Sequence, residues 1–394
     1  MDGLESFRRQ VRTWLTERFP DRDPSRDDDR GDTIMRAPDG HRAMVTGAVE
    51  LRQALAAAGF TALGIPWEYG GHGLTAAHDG VVVEELDRVQ CPSLRPLGIG
   101  LGLALPTILA AGTDEQKRRL LPPLLAGEEI WCQLFSEPDA GSDLVSLRTR
   151  AVRDGESWVV SGQKVWSSFA SDATYGLLLA RTDPEADKPH AGITMFILPM
   201  KQPGVVVRPL VDIAGGHHFN EVFLEDVLLH DTDVLGDVNR GWQVATGTLA
   251  GERSGYLGGS GEGRRRRQAQ AAMEVAGLRA DPVARQRVVD IAARERMLEW
   301  LVAGIESGAT LPGNLAAGSL VKMAAGTLEQ DAAELVTDLL GPTGSAWCGN
   351  DRDGDVASHG LNASRQATIA GGTHQIQRNL IGERVLGLPR EQRS

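Results

Sequence analysis

The chain has 394 residues, 41% of them apolar and 24% charged, the composition of a soluble globular protein long enough for two or three packed subdomains. With 53 acidic against 41 basic residues its formal charge is −12, which argues against non-specific nucleic-acid binding as the main activity but not against a local basic pocket. Cys91, Cys132 and Cys348 form no CxxC pair and fit a reducing cytoplasm, and no run of about 18 apolar residues marks a membrane span.

Residues 1–127 read as helical. The first segment places Leu4, Phe7, Val11, Trp14 and Leu15 on one face among charges and lacks the apolar core of a signal sequence. "AVELRQALAAAGFTALG", "GVVVEELDRVQ" and "DEQKRRLLPPLLAGE" carry apolar positions at helix spacing, and Thr113-Asp114 ahead of Glu115-Gln116 predicts a helix start. Between them "IPWEYGGHG" (65–73) is a loop by its proline and glycines.

Over residues 128–236 the period shortens. "SWVVSGQKVWSS", "YGLLLART", "GITMFILPM", "GVVVRPL" and "NEVFLEDVLL" predict strands separated by turns, hence a compact β barrel or sandwich. From 237 to 394 the helical period returns, broken by "GGSGEG" (258–263) and "GPTGSAWCGNDRDGD" (341–355). The α–β–α order makes this an α+β multidomain chain.

Several chemistries lack their motifs. There is no GxxxxGK[ST] phosphate loop, no GxSxG nucleophile turn and no strand–GxGxxG–helix unit. "DRDGD" (351–355) imitates a calcium loop, but Val356 stands where the turn needs glycine, and the stretch reads as a solvated acidic loop.

The most specific words are "FSEPDAGSDL" (135–144), "GQKVW" (162–166), "GTDEQK" (112–117) and "GGTHQIQRNLIGERVLGLPRE" (371–391). In their order and spacing, over essentially the whole chain, they resemble the acyl-CoA dehydrogenases. The resemblance implies a helical N-terminal domain, a central β-barrel domain and a C-terminal four-helix bundle. It also implies FAD as cofactor, an acyl-CoA thioester as substrate and an electron-transfer flavoprotein as acceptor. Phe135 and Ser136 would line the isoalloxazine ring, Trp166 would flank it, and Ser168 would bond its polar edge. Thr373 and Gln375 match further FAD contacts, while Ser142 would touch the acyl-CoA. The β residues offer the aromatic walls and few polar groups that a planar ligand needs; any one of them alone better suits an ordinary β core, and together with "AGSD" and the C-terminal motif they favour the flavin.

Removing a weakly acidic α-proton requires a carboxylate base and donors for the developing enolate oxygen. In many family members the base occupies the position of Gly371, and glycine has no carboxylate. Others carry it on the first C-terminal helix, and "TLAGERSGYLGG" (248–259) matches their pattern with Glu252-Arg253. Glu252 is the expected base, with Arg253 near the substrate. Gly371 keeps the backbone N–H that helps hold the thioester oxygen.

Two family motifs that serve FAD are replaced, by "EVAGLRADPVARQR" (274–287) and "DLLGPTG" (338–344). Either Arg279 or Arg285 substitutes, or a homologous partner supplies the missing arginine in a heterotetramer, the alternative to a homotetramer. Bulky or steroid side-chain thioesters fit such paired members. "GRRRRQ" (263–268) is a helix start that also offers charge to CoA phosphates. Two other readings on this fold are a flavin N-oxygenase or nitrososynthase and a non-catalytic partner subunit; retention of Glu252-Arg253 favours dehydrogenation.

Overall fold

The computed structural model describes residues 2–22, 38–255, 263–310, 317–346 and 352–389, with the side chains of 2, 38, 39, 250–255, 306, 352, 353, 355 and 356 outside that description. The chain divides into two compact units, one holding residues 34–212 and 216–251 with the first helix, the other holding 252–394.

In the first unit, α1 (Asp2–Thr16) buries Val11 and Leu15 as its periodicity requires, with Phe7 and Trp14 packed beside them. Arg12 of α1 clamps Glu85 of α3 (Ala76–Leu86) with bonds of 2.8 and 2.7 Å. Helix α2 (Pro38–Ala57) follows α1, and α4 (Leu105–Ala111) leads into α5 (Asp114–Ala126). The predicted start of α5 is a reciprocal cap. Gln116 N donates to Thr113 Oγ1 at 3.2 Å, and Thr113 N donates to Gln116 Oε1 at 3.0 Å. Buried Gln116 also donates to the carbonyls of Thr232 and Val234, tying α5 to the segment after the last strand.

The β part is a half-barrel sheet of seven strands in the order β1-β4-β2-β3-β7-β6, with β5 paired to β4. The predicted runs form β3 (Ser157–Lys164), β4 (Tyr175–Arg181), β5 (Ile193–Pro199), β6 (Val205–Leu210) and β7 (Phe219–His230). Two strands had no such signal. β1 (Trp131–Leu134) has four residues and pairs in parallel with β4, while β2 (Arg150–Asp154) is charged and buries only Ala151. β3 and β7 pair antiparallel through a bulge between Val160 and Gly162. Helix α6 (Gly241–Gly255) leaves the sheet.

The second unit is helical, with α7 (Arg264–Val275), α8 (Pro282–Glu306), α9 (Ala317–Leu340), α10 (Arg352–Ala363) and α11 (His374–Arg384). Its core joins Met273, Val288, Ile291, Leu298, Val321, Leu328 and Leu335. The basic run opens α7, and its first two arginines are engaged internally. Arg264 and Arg265 both meet Glu329 at 2.7 Å, and the amides of Arg265 and Arg266 donate to Glu295. "DRDGD" departs from the loop expectation: from Arg352 its backbone is helical and begins α10. Of the interruptions, 258–262 and 347–351 lie outside the described residues.

Candidate active site

β1 runs out into Phe135-Ser136-Glu137, and β3 runs out into Val165–Ser168 beside it. The two ends are joined by Val165 N donating to Ser136 O at 2.9 Å. Beneath that bond, Lys164 Nζ donates to Glu137 Oε1 at 2.8 Å and to Phe135 O at 3.1 Å. Glu137 also accepts from the amides of Arg148 (2.6 Å) and Thr149 (2.9 Å). Burial lowers the Lys164 ammonium to about 8 although Glu137 opposes it. Burial also raises Glu137, but Lys164 and the amides outweigh it and hold the carboxyl below its usual range. Both charges lie inside motifs read from the sequence, although the resemblance assigned them no role. The available signal was a lysine closing an otherwise alternating strand.

The turn after β3 is strained. Trp166 (φ 60°) and Phe169 (φ 56°) both occupy the left-handed region, uncommon for residues other than glycine. β7 and the segment before it hold the turn in place. Ser167 N donates to Asn220 O at 3.1 Å, Asn220 Nδ2 returns a bond to Ser167 O at 3.0 Å, and Phe169 N donates to His218 O at 2.7 Å. Phe219 meets Trp166 edge-on at 5.6 Å, yet the indole remains 58% exposed. Phe169 stacks on His41, whose Nε2 lies 2.8 Å from Asp172 Oδ2. Backbone strain of this kind persists where the surroundings over-determine it, and it concentrates at functional sites.

Of the expected residues, this unit brings Phe135, Ser136, Trp166 and Ser168 together at the ends of β1 and β3. The Phe135 ring is core, packed with Trp131 and Leu177, so its backbone rather than its ring borders the turn. Ser142 is exposed in the turn beyond the Glu137–Ala140 bridge. The backbone of α6 carries Glu252 and Arg253 in its last turn; their side chains, and Tyr256 and Leu257, lie outside the described residues.

In the second unit Gly371, Thr373 and Gln375 fall within five residues at the start of α11. Thr373 is the N-cap of α11, its Oγ1 accepting from Ile376 N at 3.3 Å. Gln375 is exposed. Gln377, two residues on, is fully buried, and it donates to Gly371 O at 2.9 Å and Gly372 O at 3.2 Å. Buried His374 faces Gly326 of α9, where a Cβ would come within 2.8 Å of its Nε2. Of the two candidate substitute arginines, Arg279 is exposed and lies 3.9 Å from Glu274.

Three family models cover most of the chain: the acyl-CoA dehydrogenase N-terminal domain matches residues 2–128, the middle domain 132–227 and the C-terminal domain 239–386. The chain belongs to the acyl-CoA dehydrogenase family. Acyl-CoA dehydrogenase IpdE1 of Mycobacterium tuberculosis is 38% identical over 403 residues, covering 99% of both chains. Among solved structures, the Tcur3481-Tcur3483 steroid ACAD is 26% identical at a TM-score of 0.80, with 99% of each chain covered. The ChsE4-ChsE5 complex of M. tuberculosis is 28% identical at a TM-score of 0.75, again with 99% of each chain covered. As a member of this family of dehydrogenases the chain is an oxidoreductase, with helical, β half-barrel and helical parts in that order. No helix among the described residues is long and apolar enough to cross a membrane.

The family's flavin fits the residues at the strand ends. An exposed indole on a rigid turn offers a flat apolar wall. The buried Ser167 Oγ and Asn220 Oδ1 beside it have no partner among the described atoms, and Ser136 and Ser168 are half-buried.

Proposed function

We propose that the chain is an FAD-dependent dehydrogenase of a bulky acyl-CoA thioester, introducing the α,β double bond with Glu252 as general base. The observation that carries this reading is the Trp166–Phe169 turn: two non-glycine residues in left-handed conformation, fixed by β7, present an exposed indole beside Ser136 and Ser168. Trp166 flanks the isoalloxazine, Phe135 and Ser136 border it through their backbone, and Ser168 bonds its polar edge. Thr373 and Gln375 serve the rest of FAD. When bound, FAD supplies the acceptor for the β-hydride.

Glu252 removes the α-proton as general base. The Gly371 N–H donates to the thioester carbonyl, stabilising the charge that develops there as the proton leaves. Ser142 and Arg253 hold the acyl-CoA. Electrons pass on to an electron-transfer flavoprotein, in the cytoplasm. The changed FAD motifs and the likeness to the ChsE4-ChsE5 complex support a heterotetramer with a homologous chain, and the likeness to a steroid ACAD supports a bulky substrate.

Anaerobic titration of the purified protein with butanoyl-, octanoyl- and steroid side-chain CoA thioesters tests the reading. The expected result is bleaching of the flavin band by a bulky member of the panel. A yellow protein that no thioester bleaches, or one that stays colourless with and without a co-expressed homologue, overturns it.

A further inference from the structure

Gly371 and Gly372 are consecutive residues at positive φ, 66° and 91°. Two adjacent glycines are the most conformationally free dipeptide a chain can carry, and ordering them has the largest backbone-entropy cost. An amide that must meet a substrate oxygen within a few tenths of an ångström cannot sit on such a pair without an external restraint. The restraint visible in the structure is Gln377. Its Nε2 donates to the carbonyls of both glycines, at 2.9 and 3.2 Å, from a side chain with no exposed surface. The amide is packed so closely against Gly372 that a Cβ there would approach Nε2 to 2.6 Å. Because both partners are carbonyls, which only accept, the side-chain NH₂ must be the end that faces them.

In a planar trans peptide the N–H points opposite to the C=O. With the Gly371 and Gly372 carbonyls drawn toward Gln377, the amides of Gly372 and Thr373 are turned away from it. With that plane fixed, the φ and ψ of Gly371 together set the direction of its own N–H. Among the described residues, the amides of Gly371, Gly372 and Thr373 have no internal acceptor. They lie at the N-terminus of α11, the end that favours negative charge.

We propose that Gln377 is a positioning residue: by holding the two glycine carbonyls it fixes the 371–373 backbone so that its amides, Gly371's included, face the thioester oxygen of the substrate. The ligand half of this statement rests on the dehydrogenase reading above, whereas the clamp itself does not. Gln377 touches no reacting atom. Its effect is transmitted through the direction of backbone donors.

Gln377→Glu, which keeps the shape and removes the donors, and Gln377→Met, which keeps the volume, test the proposal on the full chain. Hydrogen exchange of the peptide spanning 368–376 reads the clamp without any ligand. Faster exchange by about tenfold is expected at its bonded amides, Ile369, Ala370 and Ile376, with peptides of α9 unchanged, since the turn that holds them loses its two anchoring bonds. The red shift of the ultraviolet band of bound cinnamoyl-CoA reads carbonyl polarisation and is expected to shrink. With the panel thioester that bleaches the wild-type flavin, kcat is expected to fall about 10- to 100-fold while KM stays within about threefold, the pattern of a lost transition-state donor. Unchanged exchange in 368–376 overturns the clamp. Faster exchange with an unchanged cinnamoyl-CoA shift and kcat overturns the positioning role. A wild-type protein that neither shifts cinnamoyl-CoA nor bleaches with any thioester of the panel overturns the ligand half through the functional reading, and the exchange result then still decides the clamp. If the Glu variant does not fold, the Met variant carries the same measurements.

Discussion

Lys164 Nζ and Glu137 Oε1 stand 2.8 Å apart with side-chain exposures of 0% and 7%, which makes them the buried ion pair beneath the candidate flavin turn. A buried pair is weak evidence for net stability, yet removing one member leaves an uncompensated charge in a low-dielectric interior. Glu137→Gln and Lys164→Met are each expected to lower unfolding free energy by about 3–5 kcal/mol. The double variant Glu137→Gln/Lys164→Met loses less than the sum of the two. Urea unfolding of the three variants checks this, and additive losses would show that the two charges do not interact.

Strain at Trp166 separates folding from ligand binding. The indole is largely exposed and its backbone sits at φ 60°, so glycine relieves the conformational cost, of order 1–3 kcal/mol, and forfeits little burial. Trp166→Gly is therefore expected to melt within a few degrees of the wild type. If the indole flanks the flavin, the same variant loses FAD on gel filtration at concentrations where the wild type retains it. Equal retention by both proteins would remove Trp166 from the cofactor site.

The legibility of the chain followed from range. Helices with a wide apolar face, such as α1, and strands with long apolar runs, such as β4 and β5, announce themselves within a few residues. β1 and β2 do not, because one is four residues long and the other is charged at three of its five positions and buries only Ala151. The words "FSEP" and "GQKVW" were readable, but the bond between Glu137 and Lys164 spans 27 residues and exists only after β1 and β3 end side by side. In "THQIQ" the resemblance singled out Gln375, which is exposed. Gln377 is the buried one, and only the folded turn reveals which carbonyls it reaches.

His374 gives the second unit an acid limit. Burial holds its imidazole below the ordinary value of 6.5, and the positive charges of Lys322 and Arg378 push the same way. As pH falls from 6.5 the unfolded chain therefore takes up the proton first. Folded stability is full above about pH 6.5 and falls as the pH drops through the lowered value. His374→Asn, neutral throughout, is expected to flatten this part of the stability–pH curve between pH 6.5 and 5. Thermal melts of both proteins across that range check the sign; parallel curves would mean that His374 does not titrate as its surroundings require.

Glu252 is where the functional reading is most exposed to test. Gly371 offers no carboxylate, so if the protein dehydrogenates a thioester, a base must come from another residue. Glu252→Gln keeps the size and hydrogen bonding of the side chain and removes the basicity. The expected result is flavin reduction slowed by about 10²–10⁴-fold, with substrate binding and FAD content preserved. Adding Gly371→Glu to this variant is not expected to restore the rate. At φ 66° a glutamate starts with about 1–2 kcal/mol of backbone strain, on a turn already gripped by Gln377. Rapid-mixing measurements of flavin bleaching on the single and double variants decide it: a near-normal rate for Glu252→Gln removes the residue from the chemistry, and recovery in the double variant shows that the turn still accepts the carboxylate it lacks.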